Sequence, residues 1–406
     1  MKKSFGHSKI AKKPRFRNSY VGNISHRILG KSRSFIFMIL GFLAFGLLMI
    51  ADSTVITSNN LYKAPYRFVM LQLGWVVIGL VCFFIFYNYD YRKLAKLSYL
   101  LFVFNFLFLG ALAIISFLPC SMSLGFAPCI NGANRWLYLN PPPLPALPFL
   151  GVLGFQPGEL AKLTIILYLS VQLCKNLQED KELFWVYFIT SGLLAGLILL
   201  QPNMSTAAMI FVLGTVIYFA SDAPLKPLFI TVPILTILAV AVILISPYRR
   251  ARLTSLINGN ENDDSSSYHV KQALVALGSG GATGVGFGQS KQKYQYLPEV
   301  ASDSIFAIIG EEFGFIGTVT VVAAYLYLLY RGVSIAKNAH DLLGKLIATG
   351  VTSWLGIQFF VNVAAMTKII PLTGVPIPLI SYGGSSMVFS LMGLGILANI
   401  NENSNI

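Results

Sequence analysis

The stretch from Gln289 to Gly317 reads QSKQKYQYLPEVASDSIFAIIGEEFGFIG, and it joins a polar loop to an apolar run. Its first half is basic and aromatic, and Pro298 ends that half. Four acids then stand at the mouth of the apolar run, which continues to about residue 330: Glu299, Asp303, Glu311 and Glu312. Carboxylates are costly to place beside lipid, so these acids indicate a functional site. The alternative is that Ser302 or Asp303 caps a helix and that the acids only favour its dipole.

The composition predicts a protein with many membrane helices. Of 406 residues, 55% are hydrophobic and only 11% are charged, and the mean hydropathy is +0.68. Apolar runs of spanning length predict ten spans. They lie near residues 34–51, 68–88, 98–118, 158–174, 184–200, 204–220, 227–246, 304–330, 346–364 and 381–399. We therefore expect an all-α polytopic membrane protein with about ten transmembrane helices and two long outer loops, 119–157 and 247–303.

The distribution of charge predicts the orientation. Residues 1–33 hold ten Lys or Arg and no acid, which indicates a basic cytoplasmic tail near an anionic leaflet. Binding of nucleic acid by this tail is disfavoured, because the rest of the chain is membrane-like. Nineteen Lys or Arg lie in the predicted inner segments against ten in the predicted outer loops, so both termini are expected in the cytoplasm, with 401–406 as the C-terminal segment. Six of the outer ten lie in loop 247–303 and suit a pyrophosphate or an acidic glycan.

The two long loops differ in character. Loop 119–157 contains five prolines between residues 141 and 148, which predicts a stiff, extended stretch. Cys120 and Cys129 enclose a short segment of this loop on the oxidising side of the membrane, so they are expected to form a disulfide. Loop 247–303 begins with a polar stretch, 258–267, that is typical of a flexible linker. Its glycine-rich part, 278–288, is expected to be a loop or re-entrant turn, because it lacks the Gly-Lys-Ser/Thr of a phosphate-binding loop.

The pattern of histidines and cysteines gives no metal signature. The four histidines are scattered, and neither a His-Glu-x-x-His nor a Cys-x-x-Cys motif occurs. We therefore expect no metal site built from protein side chains alone.

A family resemblance rests on the string from Gly286 to Gly314, GFGQSKQKYQYLPEVASDSIFAIIGEEFG. It resembles the fourth outer loop of the SEDS proteins (shape, elongation, division and sporulation), the FtsW, RodA and SpoVE peptidoglycan glycosyltransferases. The lead-in GQSKQK, Gly288 to Lys293, is more similar to the division branch than to the elongation branch. In that family the aspartate at the position of Asp303 is essential, so the resemblance implies that Asp303 is catalytic.

Two further motifs resemble the family and offer charged groups. GANRWL contains Arg135, whose guanidinium could bind phosphate through two parallel hydrogen bonds. The alternative is that Arg135, beside Trp136, only anchors the chain at the membrane–water interface. QPGELAK opens the fourth span, where Glu159 and Lys162 are three residues apart and can pair on one helical face. The pair either lines a polar cavity, as the resemblance implies, or only helps the helix to enter the membrane.

The remaining matches lie at broken helices. Gln201-Pro202-Asn203 resembles a Gln-Pro-Asp motif, and Asn203 removes the charge of the usual aspartate. Residues 371–386, PLTGVPIPLISYGGSS, break a helix at membrane depth, which is tolerated where the backbone is buried or faces a cavity. Candidate hydrogen-bond donors there are Ser381, Tyr382 and Ser385, and the alternative is a packed kink. Gln358 and Asn362 share one helical face and are expected to bond between helices. Lys368 stands where the family has a small residue, without an assigned role.

The resemblance covers residues 34–400 and implies that the protein polymerises lipid II at the outer face of the bacterial cytoplasmic membrane, in cell division. Asp303 would be the base. The expected substrate-binding residues are Arg135, Glu159, Lys162, Lys293, Glu299, Glu311, Ser381, Tyr382 and Ser385. No cofactor is firmly expected, and a requirement for a divalent cation, Mg²⁺ or Mn²⁺, is left open. Expected partners are lipid II, the nascent glycan strand, a class B penicillin-binding transpeptidase and other division proteins. A lipid II flippase is the alternative function, because broken helices and intramembrane charges also suit a transporter.

Overall fold

The computed structural model describes residues 32–122, 124–130, 132–147, 149–179, 182–245, 250, 265–294 and 296–404. The basic tail expected at 1–33 lies outside these residues as far as position 31, as does most of the predicted linker 258–267. The described helices are α1 Arg33–Tyr62, α2 Arg67–Asn88, α3 Tyr91–Lys96, α4 Ser98–Ile115, α5 Pro157–Gln178, α6 Leu183–Leu200, α7 Met204–Ala220, α8 Lys226–Ile245, α9 Ser265–Ser279, α10 Ile305–Lys337, α11 Leu342–Met366 and α12 Gly384–Glu402.

The helices confirm the all-α membrane fold. Eight of those in the described part of the chain are long and apolar enough to cross a bilayer, namely α1, α2, α4, α5, α6, α10, α11 and α12. The shorter α7 has 17 residues and is also apolar. Each of the ten predicted spans overlaps a helix, the seventh coinciding with α8. The number of ten membrane crossings itself stays a prediction.

The centre of the bundle is formed by α5, α11 and α12. Within their most apolar windows, 61%, 67% and 72% of residues are buried, against 28% in α2 and α4. Because α2, α4 and α10, the last with only 22% buried, keep apolar side chains exposed, they belong to the lipid-facing shell. Local sequence explains several helix starts: Pro157 opens α5, and the side chains of Asn203 and Asp341 cap α7 and α11.

The two ends of the described chain meet. The amide of Ser32 donates to the Glu402 carboxylate over 3.1 Å, and the Ser32 hydroxyl contacts the carbonyl of Ala398. Tyr87 at the end of α2 donates to the same carboxylate over 3.2 Å. The start of α1 and the end of α12 therefore lie on the same side of the bundle, as an even number of spans requires.

The second long loop contains a helix that the sequence interpretation missed. Residues 265–279 were expected to be loop, but they form α9. Its buried residues His269, Val270, Ala273 and Ala276 follow a helical spacing and pack toward α10. The helical spacing of apolar residues was present in the sequence, but the stretch was short and the polar residues around it obscured the pattern.

The glycine-rich segment after α9 fits into a break in α10. Gly314 has a φ of 65° and a ψ of −162°, which interrupts the helix. The amides of Val285 and Gly286 donate to the freed carbonyls of Glu311 and Glu312 over 3.0 and 3.1 Å. A Cβ on Gly284 would lie 2.0 Å from the Glu312 carbonyl oxygen, so only glycine fits there. The expectation of a loop or turn that needs small residues is confirmed, and its re-entry into the membrane stays a prediction.

The first long loop folds back on itself rather than extending. Strand β1 (Cys129–Ile130) pairs with β2 (Ala133–Asn134), and β3 (Leu137–Tyr138) pairs with β4 (Gly154–Phe155). The expectation of a stiff extended stretch is therefore wrong, because the chain turns at Pro142 and Pro143 and the segments on either side of the loop pair with each other. The expected disulfide between Cys120 and Cys129 is confirmed, with the two Cα atoms 5.5 Å apart.

Candidate functional site

Asp303 lies two residues before α10 and is partly exposed. Helix α10 begins at Ile305 with Ser304 at the N-cap position, so neither Ser302 nor Asp303 is the cap that the alternative interpretation required. The backbone carbonyl of Asp303 accepts from the Asn362 amide over 2.7 Å. Its carboxylate Oδ2 lies 3.3 Å from where a Cβ on Gly374 would stand. The carboxylate is thus placed beside the broken segment that joins α11 to α12.

That broken segment, residues 371–383, has its backbone groups satisfied by side chains from several helices. Asn362 donates to the Val375 carbonyl over 2.7 Å, and Gln358 donates to the Pro376 carbonyl over 3.0 Å. Gln72 of α2 accepts from the Gly383 amide over 3.1 Å. Tyr325 of α10 donates to the carbonyl of Pro378. The segment is therefore a wall held by these contacts, with residues 377–381 buried and Gly374 exposed. The predicted interhelical role of Gln358 is confirmed by its bonds to Lys162 of α5 and Ser386 of α12. Asn362 instead bonds backbone carbonyls outside the helices.

Glu159 and Lys162 form the predicted ion pair inside the bundle. Lys162 Nζ lies 2.6 Å from Glu159 Oε1, and the two side chains are 1% and 7% exposed. Lys162 also donates to Gln358 over 2.8 Å and lies 5.6 Å above the Trp354 ring. Because Gln358 also holds the Pro376 carbonyl, the pair is connected to the broken segment through one side chain. Within the described residues, Glu159 Oε2 is buried without a hydrogen-bond partner.

Arg135 contacts the turn between α6 and α7, and that part of the chain in turn contacts the broken segment. Its guanidinium donates to the carbonyls of Gln201 and Pro202 over 3.3 and 2.5 Å, in the turn between α6 and α7. Ser205, at the start of α7, donates to the Thr373 carbonyl over 3.0 Å. A continuous line of contacts therefore runs from Arg135 through this turn to residue 373, the neighbour of the glycine beside Asp303.

Asn203 lies in that same turn, and its side chain accepts from the Thr206 amide over 3.3 Å. An aspartate caps a helix equally well, so the departure from the family pattern preserves this local structure.

The three predicted donors near the start of α12 are engaged locally. Ser381 is buried and its hydroxyl accepts from the Ile377 amide over 2.9 Å. Ser385 accepts from the Gln156 amide over 3.1 Å, which joins α12 to the start of α5. The Tyr382 ring packs edge-on against Phe68, with the centroids 5.3 Å apart. These contacts shape the wall, and substrate binding by the three side chains remains a prediction.

Lys293 and Glu311 belong to a separate cluster, the charged latch, defined as Asp52, Ser290, Lys293, Glu311 and Glu312. Lys293 Nζ lies 2.7 Å from Asp52 Oδ1 and 3.1 Å from Glu312 Oε1. Burial lowers the pKa of Lys293, but its hydrogen bonds to Asp52 and Glu312 outweigh this and leave the pKa above its ordinary value. Glu311 accepts from the Ser290 hydroxyl over 2.5 Å and from the Lys291 amide over 2.9 Å.

The latch ties loop 284–293 to both α1 and α10. Lys293 is held between the carboxylates of Asp52 and Glu312, and Glu311 is held by Ser290 and the Lys291 amide. The geometry therefore gives Lys293 and Glu311 a structural role that the sequence interpretation did not foresee. Their expected binding of substrate remains a prediction. Asp52 was missed because it follows the predicted end of the first span at residue 51, whereas α1 continues to Tyr62. A lone acid beside an apolar run was the available signal.

Glu299 is exposed in the turn before Asp303. Its φ is 49°, in the left-handed region, and its carboxylate accepts from the Ser302 hydroxyl over 2.8 Å. A non-glycine residue there is strained by roughly 1 kcal/mol, which is typical of turns held by their surroundings. The amides of Ser302 and Ser304 both donate to its carbonyl over 3.1 Å. These hydrogen bonds fix the backbone on both sides of Asp303.

Comparison with known proteins agrees with this architecture. The family model described as "Cell cycle protein", for FtsW, RodA and SpoVE, matches residues 32–406. Stage V sporulation protein E of Bacillus subtilis (strain 168) is 33% identical over 367 residues, which cover 89% of this chain and 94% of that protein. The "Probable peptidoglycan glycosyltransferase FtsW" of Coxiella burnetii (strain RSA 493 / Nine Mile phase I) is 31% identical, covering 89% and 93%.

Two solved structures share the fold. One is described as "Structural coordination of polymerization and crosslinking by a peptidoglycan synthase complex", and its matching chain has a TM-score of 0.71 at 24% identity, covering 91% of this chain and 97% of that chain. The other is the rod shape determining protein RodA of Thermus thermophilus, with a TM-score of 0.63 at 24% identity and coverage of 91% and 96%. The chain therefore belongs to the FtsW/RodA/SpoVE (SEDS) family of integral inner-membrane proteins.

Proposed function

We propose that this protein is a peptidoglycan glycosyltransferase that polymerises lipid II into glycan strands at the outer face of the cytoplasmic membrane. The observation that carries the proposal is the position of Asp303. Its carboxylate is partly exposed, it stands against the fixed wall of residues 371–383, and it is not the helix cap. Relatives that match nearly the whole chain are named as glycosyltransferases of this kind, which supports the assignment.

The proposed reaction is a single displacement with inversion. The 4-hydroxyl of an N-acetylglucosamine attacks the anomeric carbon of an N-acetylmuramic acid. The new carbon–oxygen bond forms as the bond to undecaprenyl pyrophosphate breaks, and its electron pair leaves with the pyrophosphate oxygen. An alcohol is a poor nucleophile, so the Asp303 carboxylate takes the hydroxyl proton as attack proceeds. One base suffices, because no covalent intermediate with the protein forms.

The leaving pyrophosphate needs positive charge, and Arg135 is the best-placed residue to supply it. Its guanidinium already points at backbone carbonyls of the turn between α6 and α7. A planar guanidinium can exchange such neutral acceptors for phosphate oxygens, which it binds more strongly in paired geometry. Lys293 is a weaker candidate, since its ammonium is held between two buried carboxylates.

Among the residues that the structure describes, side chains alone do not build a site for a divalent cation. Within the described ranges, no group of three His, Cys, Asp or Glu side chains could hold a metal ion. Mg²⁺ usually binds through one or two carboxylates together with substrate phosphates and water. A cation that accompanied the pyrophosphate would therefore be bound mainly by the substrate.

We further propose a role in division, in partnership with a class B penicillin-binding transpeptidase and other division proteins. The GQSKQK lead-in favours the division branch. A structural neighbour comes from a synthase complex that combines polymerisation with crosslinking, which supports a transpeptidase as partner. Both termini are proposed to be cytoplasmic. The contact between Ser32 and Glu402 requires them to share one side, and the basic tail favours the inner one.

The alternative function, a lipid II flippase, is favoured by the buried Glu159–Lys162 pair, because intramembrane charges also line transport routes. However, Glu159 and Lys162 already bind each other. Lys162 is connected through Gln358 to the broken segment beside Asp303.

The test incubates purified protein with lipid II, with and without a class B transpeptidase, and resolves polymer on a gel. A parallel assay follows dye-labelled lipid II across proteoliposome membranes. Polymer without translocation supports the proposal, and translocation without polymer overturns it in favour of the transporter.

A further inference from the structure

The tip of the first long loop lies against a lipid-facing helix. A Cβ placed on Gly74 of α2 would stand 2.5 Å from the carbonyl oxygen of Phe149. One placed on Gly151 would meet the Leu71 side chain at 3.3 Å. A larger side chain at Gly74 would therefore push the loop away from α2. The close approach indicates that the loop packs at a specific position on α2, which we call its seat.

The depth of this seat follows from helix geometry. Helix α2 runs from Arg67 to Asn88, so its 22 residues span about 33 Å, close to the roughly 30 Å of a bilayer core. Gly74 lies seven residues from the start of α2, which places it about 10 Å along the helix from Arg67. The loop tip therefore reaches below the end of a membrane helix instead of standing above the surface.

Gly74 also lies on the face of α2 that is turned to lipid. Met70, Leu73, Val77 and Val81 share that face at helical spacing, and each is between 43% and 55% exposed. The loop tip continues this apolar surface with exposed side chains of its own. These are Leu139, Leu144, Leu147, Phe149 and Val152, the most exposed being Leu139 at 68% and Phe149 at 63%.

The chemistry of the loop matches an apolar surrounding. From residue 97 to residue 158, Arg135 is the only charged residue. Backbone polar groups in lipid must be satisfied internally. Five prolines between 141 and 148 remove backbone donors, and Leu147 and Gly151 exchange two backbone hydrogen bonds of 2.8 Å. The Asn140 side chain accepts from the Leu153 amide over 2.5 Å and donates to the carbonyls of Pro145 and Gly151 over 3.2 and 3.4 Å.

From these observations we infer that residues 139–147 and 149–153 form a hairpin that is inserted among the phospholipid acyl chains of the leaflet on its own side, against α2. The occupant of the exposed apolar surface is the bilayer itself. The hairpin continues through β4 into Gln156 and α5, so its seat fixes the depth of the loop that carries Arg135. This inference does not depend on the chemistry proposed for Asp303.

The first test uses the unmodified full-length chain in bilayer nanodiscs. A phospholipid with a diazirine near the middle of one acyl chain is photolysed, and adducts are located by peptide mass spectrometry. Adducts are expected in the peptide that covers 139–153 as well as in the Val77 region of α2, but not around Lys291. Adducts in α2 without any in 139–153 would overturn the inference.

The second test measures depth directly. Cys82 and Cys174 are replaced by alanine, the Cys120–Cys129 disulfide is kept, and a nitroxide is attached to Leu144→Cys or Phe149→Cys. The lipid-facing control is Val77→Cys, and the aqueous control is Lys291→Cys on an exposed side chain of the other long loop. The ratio of oxygen to nickel-chelate accessibility is expected to match Val77→Cys and to be several-fold above Lys291→Cys. Ratios equal to the aqueous control would overturn the inference.

Discussion

The charged latch supplies a stability prediction that separates two roles for Lys293. In the variant Lys293→Met, the long apolar stem is kept and only the ammonium is lost. The three side chains involved, Lys293, Asp52 and Glu312, are 6%, 10% and 0% exposed, so solvent cannot replace the lost charge. Removing one partner of a buried ionic cluster costs about 3–5 kcal/mol, because the remaining charges are left uncompensated.

The assay is thermal unfolding of the purified protein in one detergent, followed by intrinsic fluorescence. At roughly 2 °C per kcal/mol for a large domain, Lys293→Met should lower the apparent melting temperature by about 6–10 °C. The matched control is Lys291→Met, whose side chain is exposed and whose amide alone contacts Glu311; it should stay within about 0.5 kcal/mol of the wild type.

A third variant sharpens the result. Lys293→Met combined with Asp52→Asn and Glu312→Gln removes all three charges together. Since neutral replacement of a buried ionic cluster is often close to neutral in stability, most of the loss should be recovered. A single Lys293→Met variant that melts like the wild type would refute the structural role of the latch. If that variant also lost polymerisation, Lys293 would instead be a substrate-binding residue.

Other predictions concern local features. Burial raises the pKa of Asp341, but the hydrogen bond from Arg92 and the other donors outweigh it and hold the pKa below its usual range. Its ion pair therefore stabilises the protein above about pH 4, so Asp341→Asn should lower the melting temperature at pH 7 and lose that effect as pH falls through the depressed pKa. Lys368 has a φ of 59°, so Lys368→Gly should raise stability by up to about 1 kcal/mol, measured by the same unfolding assay. Non-reducing peptide mass spectrometry should find Cys120 joined to Cys129, and two free thiols would contradict the fold of this loop.

Apolar runs in the sequence were sufficient to predict the helices that form the bundle. A segment that crosses lipid must satisfy its own backbone hydrogen bonds, and an apolar helix does this. The Glu159–Lys162 pair was predictable for a similar reason, since three residues separate the two charges on one helical face. Pairing of Cys120 with Cys129 followed from their shared loop. Each of these inferences needed only local spacing.

Long-range contacts were out of reach of the same reasoning. Lys293 and Asp52 are 241 residues apart, and nothing in either neighbourhood indicates the other. The break in α10 at Gly314 also depends on a segment far away in the sequence. The freed carbonyls of Glu311 and Glu312 accept from the amides of Val285 and Gly286. The first long loop was misjudged because its prolines were taken as extended backbone, whereas the chain turns at Pro142 and Pro143.

The N-cap alternative for Asp303 shows the value of exact helix boundaries. From the sequence, a cap and a general base were hard to separate, because an aspartate before a helix serves either purpose. The structure starts α10 at Ile305, which leaves Asp303 outside the cap position and beside Gly374. Asn362 holds its carbonyl in place, so the variant Asp303→Asn changes the carboxylate without removing that contact.

The most direct test of the central claim measures lipid II polymerisation by Asp303→Asn protein beside Glu299→Gln and Glu311→Gln. Loss of a positioned base should lower the rate by about 10²–10⁴-fold, while the melting temperature stays close to that of the wild type. The two control variants should lose less, because Glu299 and Glu311 orient or hold the loop. Polymerisation by Asp303→Asn at a rate close to wild type would contradict the assignment of Asp303 as the base and would leave Glu299, four residues upstream, as the first candidate.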